Sequence, residues 1–246
     1  MSVKDKKVNR TILITNDDGI DADGLIRLAA EAVKFGEVWV VAPKRQRSAA
    51  SHSITLHNHI DVYPYPEFPV EGVHAYHCSG KPADCVRVGA LSIMPRKPDV
   101  VLSGINNGFN AATDLQYSAT AGAAFEAAFQ GFRAIALSEG FHVHEVTDEY
   151  LHQIIEELID KPLGYGQIHN VNFPECLLSD CKGILRDRTV SHGMYYKDTY
   201  DVKDKLDNGG VRLMVHGHVY ADFEEGTDFK ALMDNYISIG IANNIS

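Results

Sequence analysis

Long apolar runs are missing from this chain. No stretch of its 246 residues approaches the ~18–20 consecutive apolar positions that span a bilayer, so no membrane segment is expected. The N-terminal stretch Met1–Arg10 is charged, and Ile12–Ile14 behind it is too short for a secretory leader. Cysteine is scarce. Cys78, Cys85, Cys176 and Cys181 form no C-x-x-C pair, which excludes a disulfide framework and leaves reduced thiols and a cytoplasmic location as the expectation. Basic residues are in the minority, 23 against 33 acidic, for a net charge of −10. That excludes sequence-independent binding of a nucleic-acid polymer, which needs many Lys and Arg against phosphates. Several catalytic signatures are also missing. No G-x-G-x-x-G follows the first strand and no G-x-S-x-G occurs. Gly80-Lys81 is no P-loop, because Ala75 holds the first glycine position and Pro82 follows the lysine.

What is present is ordinary globular usage, 45% hydrophobic and 23% charged, which excludes disordered, collagen-like and coiled-coil chains. Strand and helix signals alternate. Thr11–Thr15, Val38–Ala42, Asp99–Ser103 and Ala134–Leu137 read as strands buried on both faces. Between them lie helical patterns: Leu25, Leu28, Ala29 and Ala32, ending near Gly36; then Ala83–Ile93 behind Pro82; then Ser118–Gln130 with Ser118 as N-cap. A helix over Glu149–Ile159 and a strand over His169–Phe173 follow. The pattern implies right-handed crossovers and a three-layer, doubly wound, mostly parallel α/β sheet of Rossmann-like type. One domain is expected over 1–246, with a core of about 11–180 and a β-rich C-terminal appendage of about 183–246. In that appendage Ile184–Val190, Val211–Val219 and Tyr236–Ala242 read as β, and the polar stretch Lys197–Gly210 as a loop.

Polar residues gather where the strands end, which is where open α/β sheets bind ligands. Thr15-Asn16-Asp17-Asp18-Gly19 follows the first strand. Adjacent carboxylates are costly unless a positive centre lies between them, and hard cations such as Mg²⁺ or Mn²⁺ take oxygen ligands of this kind. The alternative is a simple Asx or β-turn at Asp18-Gly19. Pro43–Ser53 follows the second strand and brings Lys44, Arg45 and Arg47, a Ser48 oxygen and a His52 proton; a solvated charged loop is the plainer reading. Ser103–Asn110 follows the third and offers glycines and neutral Asn oxygens. Tyr117–Gly122 opens a helix whose free amides, with the Ser118 and Thr120 hydroxyls, suit phosphate. Three H-x-H pairs, His57/His59, His142/His144 and His216/His218, have a spacing that chelates zinc on a strand. By the expected strand order all lie away from the Asp and Asn loops.

Taken in order, these segments resemble the SurE survival-protein nucleotidases. TNDDG, VAPKRQRSAASHS, SGKPADCV, VLSGINNGFN and YSATAGAAFEA match family motifs over Thr11–Leu137. QIHNVNFP (Gln167–Pro174) and GTDFKALMDNYISI (Gly226–Ile239) resemble two later ones. The resemblance implies one divalent cation per subunit, Mg²⁺ or Mn²⁺, held by Asp17, Asp18, Ser48 and Asn106. It implies hydrolysis of nucleoside 5′- and 3′-monophosphates by metal-activated water attack, with Asp17 and Asp18 central to catalysis. Asn16, Asn110, Ser118 and Thr120 are then expected to orient the phosphate. It also implies a homodimer or homotetramer built through C-terminal segments. The chain departs from the pattern at Ala119 (usually Gly), Lys44 (usually acidic), Lys81 (usually Thr), Phe109 (usually Pro), Asn107 (usually Arg or another residue) and Gly240-Ile241 (usually Thr-Pro). A non-catalytic nucleotide-binding module, with Ala119 crowding the phosphate, is the competing expectation. An interaction scaffold that binds no metal is a third.

Overall fold

A computed structural model of the chain describes residues 10–193, 196–219 and 224–245. Six parallel strands form the centre of a nine-stranded sheet. They are β1 (Thr11–Thr15), β2 (Glu37–Pro43), β4 (Val73–Cys78), β5 (Val100–Asn107), β6 (Arg133–Glu139) and β7 (Gln167–Asn172). A short β3 (Val62–Pro64) pairs antiparallel with β4 at one edge. At the other edge stand β11 (Ile237–Asn243), antiparallel to β7, and β8 (Ile184–Leu185). The order is β3-β4-β2-β1-β5-β6-β7-β11-β8, so the chain reverses its direction of travel between β1 and β5.

Every residue of β1 is buried, as are all but the first of β2. That two-sided burial explains their unbroken runs of Ile, Leu and Val. Two apolar clusters cover the two faces. Ile12, Ile14 and Val40 meet Leu25 and Leu28 of α1 (Asp23–Ala32) and Leu151 and Ile154 of α4 (Glu145–Leu158). On the opposite face Leu13, Val41 and Val101 meet Cys85 and Val86 of α2 (Pro82–Val88) and the alanines and Phe125 of α3 (Ala119–Phe129). The result is the three-layer, doubly wound sheet that the sequence pattern implies. Among the described residues no helix is long and apolar enough to cross a membrane.

The C-terminal third differs from its expected layout. Lys197–Gly210, read as a loop, is mostly the strand β9 (Tyr196–Lys205), which pairs antiparallel with β10 (Val211–Val219). Its sequence, YKDTYDVKDK, shows no buried side because the described residues of this hairpin are exposed on both faces. Pairing of the two backbones, not burial, makes the strand. Of Ile184–Val190 only Ile184–Leu185 is strand. The expected appendage over 183–246 is therefore divided. β8 and β11 return to the main sheet, α5 (Asp228–Met233) packs against β11, and the hairpin 196–219 alone stands apart as a second sheet.

Candidate metal and substrate site

The reversal between β1 and β5 is the place where such a sheet leaves a crevice at its carboxyl edge. Three of the four expected ligands lie on the ends of these two strands, and Ser48 comes in on the segment after β2. Asn16, which has no exposed surface, closes the turn after β1: its Oδ1 accepts from Gly19 N (3.2 Å) and its Nδ2 donates to Gly19 O (2.9 Å). The Asp17 and Asp18 carboxylates are not used for that closure. Asp17 is buried, and its Oδ1 accepts from Thr120 Oγ1 at 2.5 Å. The same hydroxyl lies 3.4 Å from Asn106 Oδ1. Asp18 accepts from the Asn107 amide (3.1 Å) and from Gln46 Nε2 (3.2 Å), and Gln46 Nε2 also reaches Ser48 Oγ (3.0 Å). Thr120 thus links Asp17 to Asn106, and Gln46 links Asp18 to Ser48; the two sets adjoin along the chain at Asp17-Asp18 and through the Asn107 amide on Asp18.

Strand β5 runs further than expected, through Asn107, with a register shift between Ser103 and Asn106. Asn106 and Asn107 are thus strand residues fixed beside β6, and not tips of a free loop. The Asn106 amide is set by donation from its Nδ2 to Gly108 O (2.7 Å), which leaves Oδ1 on the Thr120 side. Gly104 (φ +139°) makes the approach possible, since a Cβ there would meet Leu137 O at 2.3 Å. Gly122 does the same for the segment after β2, because a Cβ would meet Ser51 O at 2.4 Å.

Electrostatically the site is an acid pair without a counter-charge. Burial pushes Asp17 up to about 6; Thr120 and the residue's own amide lower it, and the neighbouring Asp18 charge raises it. Burial also raises Asp18, against donation from Asn107 and Gln46. Among the described residues no Lys, Arg or His forms an ion pair with either carboxylate. A hard divalent cation fits this donor set of two carboxylates, an amide oxygen and a hydroxyl. Among the described residues there is no cluster of three or more His, Cys, Asp or Glu that would suit a softer metal.

A family model described as Survival protein SurE matches residues 12–195. The chain belongs to the SurE family. It is 36% identical to the 5′-nucleotidase SurE of Caldanaerobacter subterraneus subsp. tengcongensis, over 93% of this chain and 89% of that one. It is 35% identical to the 5′-nucleotidase SurE of a Synechococcus strain, over 93% and 89%. The solved SurE protein of Aquifex aeolicus superposes with a TM-score of 0.79 at 29% identity, covering 95% of this chain and 93% of that one.

The remaining residues expected at a SurE site are placed differently from one another. Ser118 Oγ caps α3 by accepting from Ala121 N (3.0 Å). Asn110 is buried, donates to Ser138 Oγ (2.7 Å), and through its backbone meets Asn170 and Asn172. Thr120 has no exposed surface and serves Asp17. The side chains of Asn16, Asn110, Ser118 and Thr120 are therefore all engaged by other groups of the protein. Ala119 is also fully buried. His52 is engaged away from the two acids: its Nε2 lies 2.9 Å from Glu126, and its ring stacks on Phe129.

What opens to solvent beside Asp18 is a cleft of ≈ 300 Å³. Asp18, Gln46, Asn107, Arg27, Glu139 and His144 line it, with Asn107 and Glu139 paired in register on β5 and β6. Glu139, at the end of β6, is buried and bonds Arg27; its second oxygen is 3.0 Å from His144 Nδ1. Arg27 also holds Asp23 (2.7 Å) and Asp148 (2.8 Å). From the expected strand order, His144 belongs away from the acid pair. In the structure β6 lies next to β5 and delivers it to the same edge. The other H-x-H pairs form no chelate among the described residues. His216 and His218 do share a face of β10, but they pair with Asp201 (3.1 Å) and Thr199 (3.3 Å).

Proposed function

We propose that this chain is a divalent-cation-dependent 5′-nucleotidase, hydrolysing nucleoside 5′-monophosphates, and 3′-monophosphates, to nucleoside and phosphate. The observation that carries this reading is the uncompensated pair Asp17 and Asp18, bridged to Asn106 and Ser48 beside an open cleft. These four residues would hold one Mg²⁺ or Mn²⁺. When bound, such an ion polarises the phosphoryl oxygen and makes a water more acidic.

The chain's own residues do the rest. Thr120 fixes the Asp17 carboxylate, and the Asn107 amide and Gln46 fix Asp18, so the anionic oxygens are aimed before substrate arrives. Phosphoryl transfer depends mainly on such positioning and on charge neutralisation. The cleft takes the nucleoside, and its volume lies at the lower end of the ~300–1,000 Å³ usual for small-ligand sites. Asn16, Asn110 and Ser118 keep the surrounding turns in place, so their contribution to phosphate orientation is through the backbone they hold. The four cysteines are free thiols, which suits the reducing cytoplasm. The exposed hairpin, with Val202, Leu213 and Val215 open to solvent, supports a homodimer or homotetramer joined through it.

The test is phosphate release from AMP with Mn²⁺, with Mg²⁺ and with neither, on the full chain and on Asp18→Asn. Metal-dependent release that Asp18→Asn abolishes supports the reading. Release that persists in EDTA overturns it, and AMP binding without release marks a non-catalytic module.

A further inference from the structure

The acid pair and its neighbours can hold a cation and a phosphate, but none of them supplies a proton to the departing nucleoside oxygen. An alkoxide is a poor leaving group, so a proton donor beside it accelerates the reaction by about 10²–10⁴-fold. We propose that His144, oriented by Glu139, is that donor; the assignment rests on the nucleotidase reading above.

The geometry favours His144 over every other group on the cleft. Its Nδ1 lies 3.0 Å from Glu139 Oε2, and Arg27 occupies the other oxygen of the same carboxylate. Glu139 is almost wholly buried and cannot swing away. The imidazole therefore abuts the carboxylate through Nδ1, and neither of these two buried atoms has a hydrogen-bond partner among the described residues. His144 occupies the N-cap position of α4, yet its side chain makes no capping bond, and among the described residues Nε2 has no bonding partner. The ring lines the same cleft as Asp18. Carboxylate, imidazole and substrate in sequence is the arrangement by which proteins orient an imidazole for acid–base work. The other candidates fail on chemistry. Gln46 and Asn107 carry no dissociable proton. Arg27 is tied to three carboxylates and does not release one. Asp23 and Asp148 are both engaged by Arg27. Imidazole is the side chain that ordinarily exchanges a proton near neutral pH.

Water oxygen bonds to phosphorus as the bond from phosphorus to the nucleoside oxygen breaks. The proton on His144 Nε2 goes to that oxygen, giving the neutral nucleoside. Phosphate leaves as the dihydrogen anion, and one of its protons restores the imidazole through solvent.

Leaving-group dependence tests the assignment. p-Nitrophenolate is a stable anion and departs without a proton, whereas the nucleoside oxygen does not. His144→Asn should therefore lose about 10²-fold in kcat on AMP and only a few-fold on p-nitrophenyl phosphate, with KM for AMP little changed. Glu139→Gln should show the same pattern, more weakly. In metal-free protein labelled with ¹⁵N-histidine, saturating adenosine should shift the His144 Nε2 resonance. Equal losses on both substrates point to binding or structure and overturn the proposal, as does no loss on AMP or no shift with adenosine. Failure of the unaltered chain to release phosphate from either substrate would instead bring down the nucleotidase reading, and this assignment with it.

Discussion

Thr120 Oγ1 stands 2.5 Å from Asp17 Oδ1 and 3.4 Å from Asn106 Oδ1, so one buried hydroxyl from the first turn of α3 ties together the ends of β1 and β5. Its effect on Asp17 is one-directional: donation lowers the carboxyl that burial has raised to about 6. Thr120→Val keeps the shape and removes the donor, leaving a buried carboxylate with less support. Cation affinity, read by calorimetric titration with Mn²⁺, should fall about 10–100-fold, as it does when supporting partners of metal ligands are removed. Thr120→Ser should restore most of it. Equal affinity in the Val variant would show that Asp17 needs no such support.

Asp17 should also limit stability when no cation is present. Its folded pKa of about 6 lies above the ordinary carboxylate value of 3.8. A raised folded pKa favours folding while the group is protonated, and that advantage is lost as pH rises from 3.8 through about 6. Above pH 6 the ionised, buried carboxylate opposes folding by on the order of 3 kcal/mol. Asp17→Asn should accordingly be more stable than the unaltered protein in EDTA at pH 7.5 and show no such gain below pH 4. Chemical denaturation at the two pH values checks the sign. The same substitution should abolish phosphate release, so stability and activity move in opposite directions.

The features legible in the sequence were those where burial leaves a pattern. β1 and β2 are apolar on both faces, Ser118 caps α3, and Asp17, Asp18, Ser48 and Asn106 lie at a strand end or on the segment that follows one. β4 leaves little signal because VHAYHC belongs near an edge, with His74 exposed and the half-buried His77 against Tyr63 of β3. β9 was missed because a hairpin wet on both faces needs no apolar alternation. Arg27, Glu139 and His144 come from α1, β6 and the start of α4, and only the strand order brings them together. One signal was available for Glu139. It is an acid at the end of an apolar strand, as Asp17 is after β1, and such a charge is rarely buried without a partner.

Glu126 should hold the segment that bears Ser48 against α3. Burial alone would raise its pKa, but His52, Gln130 and Arg87 together bring it down to about 2. His52 and Arg87 each lie 2.9 Å from its carboxylate. A depressed carboxylate stabilises the fold above its unfolded pKa near 4.5, and this is lost as pH falls towards 2. Glu126→Gln should therefore be less stable than the unaltered protein at pH 6, with the difference closing between pH 4.5 and 2. KM for AMP or the Mn²⁺ requirement should rise with it, because Ser48 lies four residues from His52. Melting curves across that pH range, beside metal titrations at pH 7, separate the two effects.

The hairpin of β9 and β10 bears Tyr200, Val202, Leu213, Met214 and Val215, each about half exposed or more. Val202 and Leu213 are directly cross-strand partners, so the apolar surface is continuous across the ribbon. A two-stranded ribbon has little stability of its own in water, and an exposed apolar patch of this kind usually marks a contact surface. Val202→Asp with Leu213→Lys keeps a cross-strand pair of opposite charge, so the ribbon itself should persist while its apolar face is lost. Light scattering coupled to size exclusion should then report a smaller assembly than for the unaltered chain. An unchanged mass would place the subunit contact elsewhere. The acid pair lies in the main sheet, apart from the ribbon. Monomeric variant that still binds Mn²⁺ with full affinity would show that the cation site is complete within one subunit.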